Sequence, residues 1–181
     1  MSNVKKAVAI IIVLSLFAAL VFFAVTRGNR STGSLAERRL EEVMALDFSQ
    51  DYPEQPDKVL AAYNDIDAFL SGNTFDLPNF TDDDLRVLVE KQRELMDAEL
   101  LGQNPVESHI EGYRAKMEYL KEEDLRIVQI NTETPVFSYD PRRCSIVVKQ
   151  FWNKHVQIDL NYYLRRENGS ERWKISGWEE R

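Results

Sequence analysis

His155, Asp159 and Tyr163 stand four residues apart along a stretch that alternates apolar and polar residues, so an extended backbone puts all three on one face. An imidazole, a carboxylate and a phenol together are the groups that general acid–base catalysis uses, which makes these three the candidate catalytic residues. The same alternation argues against them. Their face is opposite to Val156, Ile158, Leu160, Tyr162 and Leu164, so if the aliphatic side is the core, the trio lies on a solvated polar face. His155 also adjoins Asn153-Lys154, a turn signal that favours a surface position.

Other chemistry is sparse. His109 is the only other histidine, and Cys144 is the only cysteine. Two distant imidazoles and one thiol make no metal-ligand cluster, so no metal-binding residue is expected. A glycine-rich phosphate loop and a Gly-x-Ser-x-Gly elbow are both missing, so no cofactor-binding residue is expected either. Cys144 opens an apolar run with Ile146 and Val148 and reads as a buried, inert thiol. Tyr113, Tyr119, Phe151, Trp152, Tyr162, Tyr163, Trp173 and Trp178 suit a ligand pocket or a core, and their helical and period-two spacing favours the core. The acidic runs Asp82-Asp83-Asp84 and Glu122-Glu123-Asp124 lack the spaced oxygen ligands of a calcium loop and sit at expected helix ends. Asn29, Asn79 and Asn168 open Asn-x-Ser/Thr sites that matter only in a eukaryotic secretory pathway.

The elements that must position these groups begin with an apolar run. In the 181-residue chain, Lys and Arg number 23 against 30 Asp and Glu, a formal net charge of −7. Lys5 and Lys6 precede the run Ala7 to Val25, so the chain after the run is more acidic still, and nucleic acid is not an expected partner. The run holds roughly 19 residues and reaches about 28 Å as a helix, close to a bilayer's hydrocarbon thickness. It exceeds the usual h-region of a signal peptide and has no small-x-small site after it, which favours an anchor over a cleaved signal. The expectation is therefore a cytoplasmic tail over 1–6, a transmembrane helix over 7–25 that contacts membrane lipid, and a flexible tether over 26–34. A juxtamembrane helix over 35–46 and an extracytoplasmic domain over 47–181 complete the order. The placement is single-pass at the cell membrane, N-terminus inside and C-terminal domain extracellular.

Within the domain, Pro53 and Pro56 mark an extended strap. Val59, Leu60, Tyr63, Ile66, Phe69 and Leu70 predict a helix from Asp57 that ends at Ser71-Gly72-Asn73. Thr81 and Asp84 form a capping box for a second helix running to Gly102. Asn104 and Pro105 open a third, with its stripe at Val106, Ile110, Tyr113, Met117 and Leu120. Beyond Asp124 the period becomes alternating, and strands are expected over 125–133, 144–153, 155–166 and 172–179. Helices followed by a meander of strands predict α+β, with three main helices packed on a curved antiparallel sheet, preceded by the single transmembrane helix.

The ordered motifs Asp47-Phe48-Ser49-Gln50-Asp51-Tyr52-Pro53 with Pro56, Tyr63-Asn64, Glu99-Leu100-Leu101 with Asn104-Pro105, and Arg172-Trp173-Lys174-Ile175-Ser176-Gly177-Trp178 carry a resemblance. The chain resembles an uncharacterised family of single-pass extracytoplasmic proteins of Gram-positive bacteria, a domain of unknown function. That resemblance implies the cone-shaped, curved-sheet fold of nuclear transport factor two and the SnoaL-like proteins, which hosts isomerases, dehydratases and non-catalytic binding modules. It brings no catalytic residues with it. The expected function is a non-catalytic binding or interaction domain, and the alternative is a cone-fold enzyme with acid–base residues in its cavity. Expected partners are an envelope protein, a cell-wall polymer or a weakly associating second copy.

Overall fold

The computed structural model describes residues 35–75 and 77–181. The chain divides into two units, Met1–Arg38 and Arg39–Arg181. Of the first, the described residues are 35–38, the opening turn of α1 (Leu35–Met44). The expected segments 1–6, 7–25 and 26–34 lie outside the described residues.

In the second unit, α2 (Pro56–Ala68) begins with Pro56, whose missing N–H costs nothing at a helix start. Its stripe of Val59, Leu60, Tyr63 and Ile66 is buried. Burying each such side chain stabilises the fold by about 1.5–3 kcal/mol relative to exposure. The helix widens over Phe69–Asn73 and ends at Gly72, whose φ is +126°. A Cβ there would lie 2.5 Å from Arg126 Cβ and 2.9 Å from its Cα, so both the conformation and the space require glycine.

Next comes α3 (Asp82–Glu94), with the expected capping box: Asp84 N–H donates to Thr81 Oγ1 at 3.2 Å, and Thr81 N–H to Asp84 Oδ2 at 2.8 Å. The expected run to Gly102 is corrected. Leu95, Met96 and Asp97 leave the helix and join the sheet: Ile175 N–H donates to the Leu95 carbonyl, and Asp97 N–H to the Ile175 carbonyl, both at 2.9 Å. Asp97 then caps the separate α4 (Ala98–Gln103) through Leu100 N–H at 2.8 Å. Asn104 belongs to the end of α4, its side chain donating to the Leu100 carbonyl at 2.9 Å, so α5 (Val106–Glu122) starts after Pro105 without the expected asparagine cap.

The sheet is antiparallel and five-stranded: β1 (Ile127–Thr132), β2 (Val136–Phe137), β3 (Arg143–Trp152), β4 (Gln157–Arg166) and β5 (Trp173–Glu180). Its order is β1-β3-β4-β5, and β2 pairs with β3 at Ser145 and Cys144, beyond the stretch that β1 covers. Irregular register after Ile127 and after Tyr163 puts bulges in β1 and in the β4–β5 pair, which bend the sheet. Ile146, Val148, Tyr162, Leu164, Trp173 and Ile175 face the helices, forming one core with Val59, Leu60, Ile66, Leu70, Leu88 and Val89. The strap expected before Pro56 is tied down by Phe48, 3% exposed, and by Tyr52, whose hydroxyl donates to the Trp173 carbonyl at 2.6 Å.

Two parts of the sequence expectation are corrected. Besides α1, which falls within the expected juxtamembrane helix, the described residues form four α-helices rather than the three main ones expected, because the second predicted helix breaks where it meets β5. Among the described residues, moreover, no helix is long and apolar enough to cross a membrane. The longest, α5, has 17 residues and carries Glu107, Glu111, Arg114, Lys116, Glu118 and Lys121. The described fold is thus α+β without a transmembrane helix, and the single-pass placement at the cell membrane is withdrawn with it.

Candidate functional site

The expected catalytic trio does not converge. Asp159 and Tyr163 share the outer sheet face, opposite Lys149 and Ser145 of β3, whereas His155 sits outside the strand in the turn at Asn153–His155, exposed and at φ +61°. The two strand groups are engaged locally. Asp159 Oδ1 accepts from Gln157 Nε2 at 2.7 Å. The Tyr163 hydroxyl accepts from Asn161 Nδ2 at 2.9 Å and donates to Glu179, and that bond pushes its pKa up.

The other reactive groups are restrained. Cys144 is buried among apolar side chains, and burial, with Asp57 adding to it, pushes its thiol up to about 11, so almost none is thiolate at neutral pH. The His109 ring packs on Tyr113 with centroids 5.1 Å apart, and its Nδ1 lies 3.4 Å from Arg93 Nη1. Burial, and then the Arg93 charge, lowers its pKa.

The one concentration of polar groups inside the described fold went unnoticed in the sequence. Asp67, 5% exposed in the last turn of α2, lies 3.3 Å from the Lys116 ammonium and from the Tyr113 hydroxyl, and 3.4 Å from Gln150 Nε2. The Tyr113 hydroxyl donates to Gln92 Oε1 at 2.8 Å, and with a single proton this shorter bond takes it. Tyr63, Tyr113 and Tyr162 are raised well above the phenol range by burial, with Asp67 adding to it, so all three stay protonated. The cluster joins α2, α3, α5 and β3. Asp67 at the end of an otherwise apolar stripe and Gln92 within one were its only sequence signals.

A more accessible arrangement lies where β2 meets β3. Val136 is 67%, Phe137 54% and Tyr139 107% exposed, three large apolar side chains on one short hairpin. The turn beneath them is held by its own hydrogen bonds: Ser138 N–H to the Arg143 carbonyl and Arg143 N–H to the Asp140 carbonyl, both at 3.0 Å, and Arg142 N–H to Asp140 Oδ1 at 2.9 Å. Beside it runs a groove of about 500 Å³ lined by Val136, Phe137, Ser145, Tyr163, Arg165 and Ser176. An adjoining cleft of about 420 Å³ is rimmed by Arg142, Arg143, Arg165 and Arg166. Those guanidinium groups are paired: Arg165 with Asp97 at 2.7 Å and Glu99 at 3.2 Å, Arg142 with Glu171 at 3.0 Å, Arg143 with Asp140 at 3.6 Å. An apolar and aromatic centre with an arginine-rich polar rim is the composition of a protein–protein interface.

A family model described as a domain of unknown function, DUF6715, matches residues 1–178. No curated protein and no solved structure matches the chain.

Proposed function

Because the chain belongs to the DUF6715 family, whose description assigns no activity, we propose from the geometry that it is a non-catalytic interaction domain docking a partner protein through the β2–β3 hairpin. The observation that carries this reading is the exposure of Val136 and Phe137 of β2 and Tyr139 of the adjoining turn on one hairpin whose turn is fixed by hydrogen bonds. A preorganised apolar projection loses little conformational entropy on binding, and aromatic side chains concentrate binding energy at interfaces. The arginine rim supplies orientation through partly exposed charges.

A partner protein suits this surface better than a polymer or a second copy. The outer sheet face, with Gln157, Asp159, Asn161 and Arg165 around Tyr163, makes at most a wet and weak self-contact. Helices on one side of a bulged antiparallel sheet support reading the fold as a SnoaL-like cone. The enzyme alternative has less support, since Asp159 and Tyr163 are engaged by surface neighbours and His155 lies apart from them.

The test is site-specific photocrosslinking in cells from position 139, compared with position 118 on the exposed side of α5. We expect one defined protein adduct from 139, absent from 118 and lost in Phe137→Ser. An adduct of twice the chain's mass would reassign the surface to self-association, and equal crosslinking from both positions would sink the reading.

A further inference from the structure

The two long edges of the sheet are treated differently. On β5 the outer edge is covered at Ile175 by the Leu95–Asp97 segment, and the strand ends on the charged pair Glu179 and Glu180. Among the described residues, nothing comparable covers β1. Glu133 N–H donates to the Val147 carbonyl at 2.8 Å and Asn131 is in register with Lys149, so the alternation of an antiparallel ladder turns Glu133, Asn131 and Gln129 toward β3. The backbone N–H and C=O groups of Ile130 and Thr132 then point outward, away from the sheet. Proteins blunt idle edges with lysine, proline or a cover, and Ile127–Thr132 contains no charge and no proline.

A groove of about 330 Å³ runs along this edge, walled on one side by Ile127, Val128, Gln129, Ile130 and Thr132 and on the other by Ala61, Asn64, Asp65 and Ala68 of α2. The two alanines leave room beside the strand. Asn64, 4% exposed, lines the groove with its carboxamide oxygen unpartnered, while its nitrogen lies 3.5 Å from Thr132 Oγ1. Net charge is absent: the Arg39 guanidinium lies 4.0 Å from Asp65, and across the strand Gln129 Nε2 donates to Asn131 Oδ1 at 2.8 Å.

We propose that the outer edge of β1 and the facing side of α2 receive an extended, uncharged polar peptide segment of a partner protein, added as a strand antiparallel or parallel to β1. Main-chain bonds to Ile130 and Thr132 supply affinity, as in other strand-addition sites. Every second side chain of the segment enters the space over Ala61 and Ala68, where serine, threonine, asparagine or glutamine matches the groove's amide and hydroxyl lining. The site does not rest on the hairpin reading and uses different residues.

The experiment pans a displayed random decapeptide library against the full chain, then measures an enriched synthetic peptide by fluorescence anisotropy. Thr132→Pro removes an outward N–H without breaking a bond to β3. Ala61→Trp, at an exposed helical position, fills the groove from the other wall and keeps the result readable if the proline variant is unstable. We expect enriched peptides rich in uncharged polar residues, at least tenfold weaker binding in each folded variant, no change in Phe137→Ser, and slowed hydrogen exchange at Ile130 and Thr132. Failure to enrich any peptide, enrichment of charged or apolar sequences, or binding unchanged in Ala61→Trp would overturn the proposal. Self-association abolished by Thr132→Pro would overturn it too, by giving the edge to a second copy.

Discussion

Phe137 stands edge-on to Trp173, with ring centroids 5.9 Å apart and planes at 64°, so the most exposed strand of the sheet is braced against one of its buried aromatic residues. Trp173 is 2% exposed and Phe137 54%. The same side chain therefore packs against the core and leaves about half its surface exposed.

This dual position separates two neighbouring substitutions. Phe137→Ala loses an aromatic pair and some burial, and should lower unfolding free energy by about 1–2 kcal/mol. Tyr139→Ala touches no such contact and should stay within about 0.5 kcal/mol of the parent. Urea denaturation of both variants measures the difference, and an equal loss in both would show that the brace contributes little.

The bond from Tyr113 to Gln92 makes a prediction about matched partners. Gln92 is fully buried and its Nε2 already lacks a partner, so Tyr113→Phe leaves the whole carboxamide unsatisfied at a cost of about 1–3 kcal/mol. Adding Gln92→Leu should recover most of that loss, because two apolar groups replace two polar ones. A double-mutant cycle by chemical denaturation checks this. Additive losses would mean that the two groups act independently.

Two glycines should respond in opposite directions to alanine. Gly72→Ala forces a positive φ on a side chain and a close approach to Arg126, costing about 1–3 kcal/mol from the backbone alone and more from the contact. Gly112 lies exposed within α5 and a Cβ there meets nothing within 4 Å. Gly112→Ala should therefore stabilise by about 0.5–1 kcal/mol. Thermal unfolding of the two variants decides, and a stable Gly72→Ala protein would refute the close packing of Gly72 on Arg126.

His109 gives the fold a pH dependence of defined sign. Its folded pKa is lowered from the ordinary value of 6.5 by burial and by Arg93, with Tyr113 against the ring. As pH falls through 6.5 the unfolded chain binds a proton that the folded chain resists, so stability is lost toward acid. Melting temperatures between about pH 7.5 and pH 5 should fall further for the parent than for His109→Gln. Parallel curves would show that the imidazole titrates normally.

Local rules made much of this protein legible in the sequence. The Thr81–Asp84 capping box, the stripe Val59, Leu60, Tyr63 and Ile66, and the alternation from Val156 to Leu164 each arise from chemistry or periodicity within a few residues. The capping box and the stripe reappear in the fold, and the alternation does so at Tyr162 and Leu164, whereas Val156 precedes β4 and is 45% exposed. What depended on distant partners did not show. A helical pattern continues through Leu95 and Met96, and only Ile175, some eighty residues later, offers backbone groups that end the helix there. β2 has two residues, directly after Pro135, and is a strand only because β3 lies beside it. His155 kept the four-residue spacing of a strand face, yet its positive φ moved it into a turn. Asp67, Gln92, Tyr113 and Gln150 come from four separate elements, and the hairpin's exposure and the bare edge of β1 are properties of what packs nearby. Periodicity fixes which face of an element turns inward, whereas the neighbour that meets that face, or leaves it open, is decided by the tertiary packing of residues far apart in the chain.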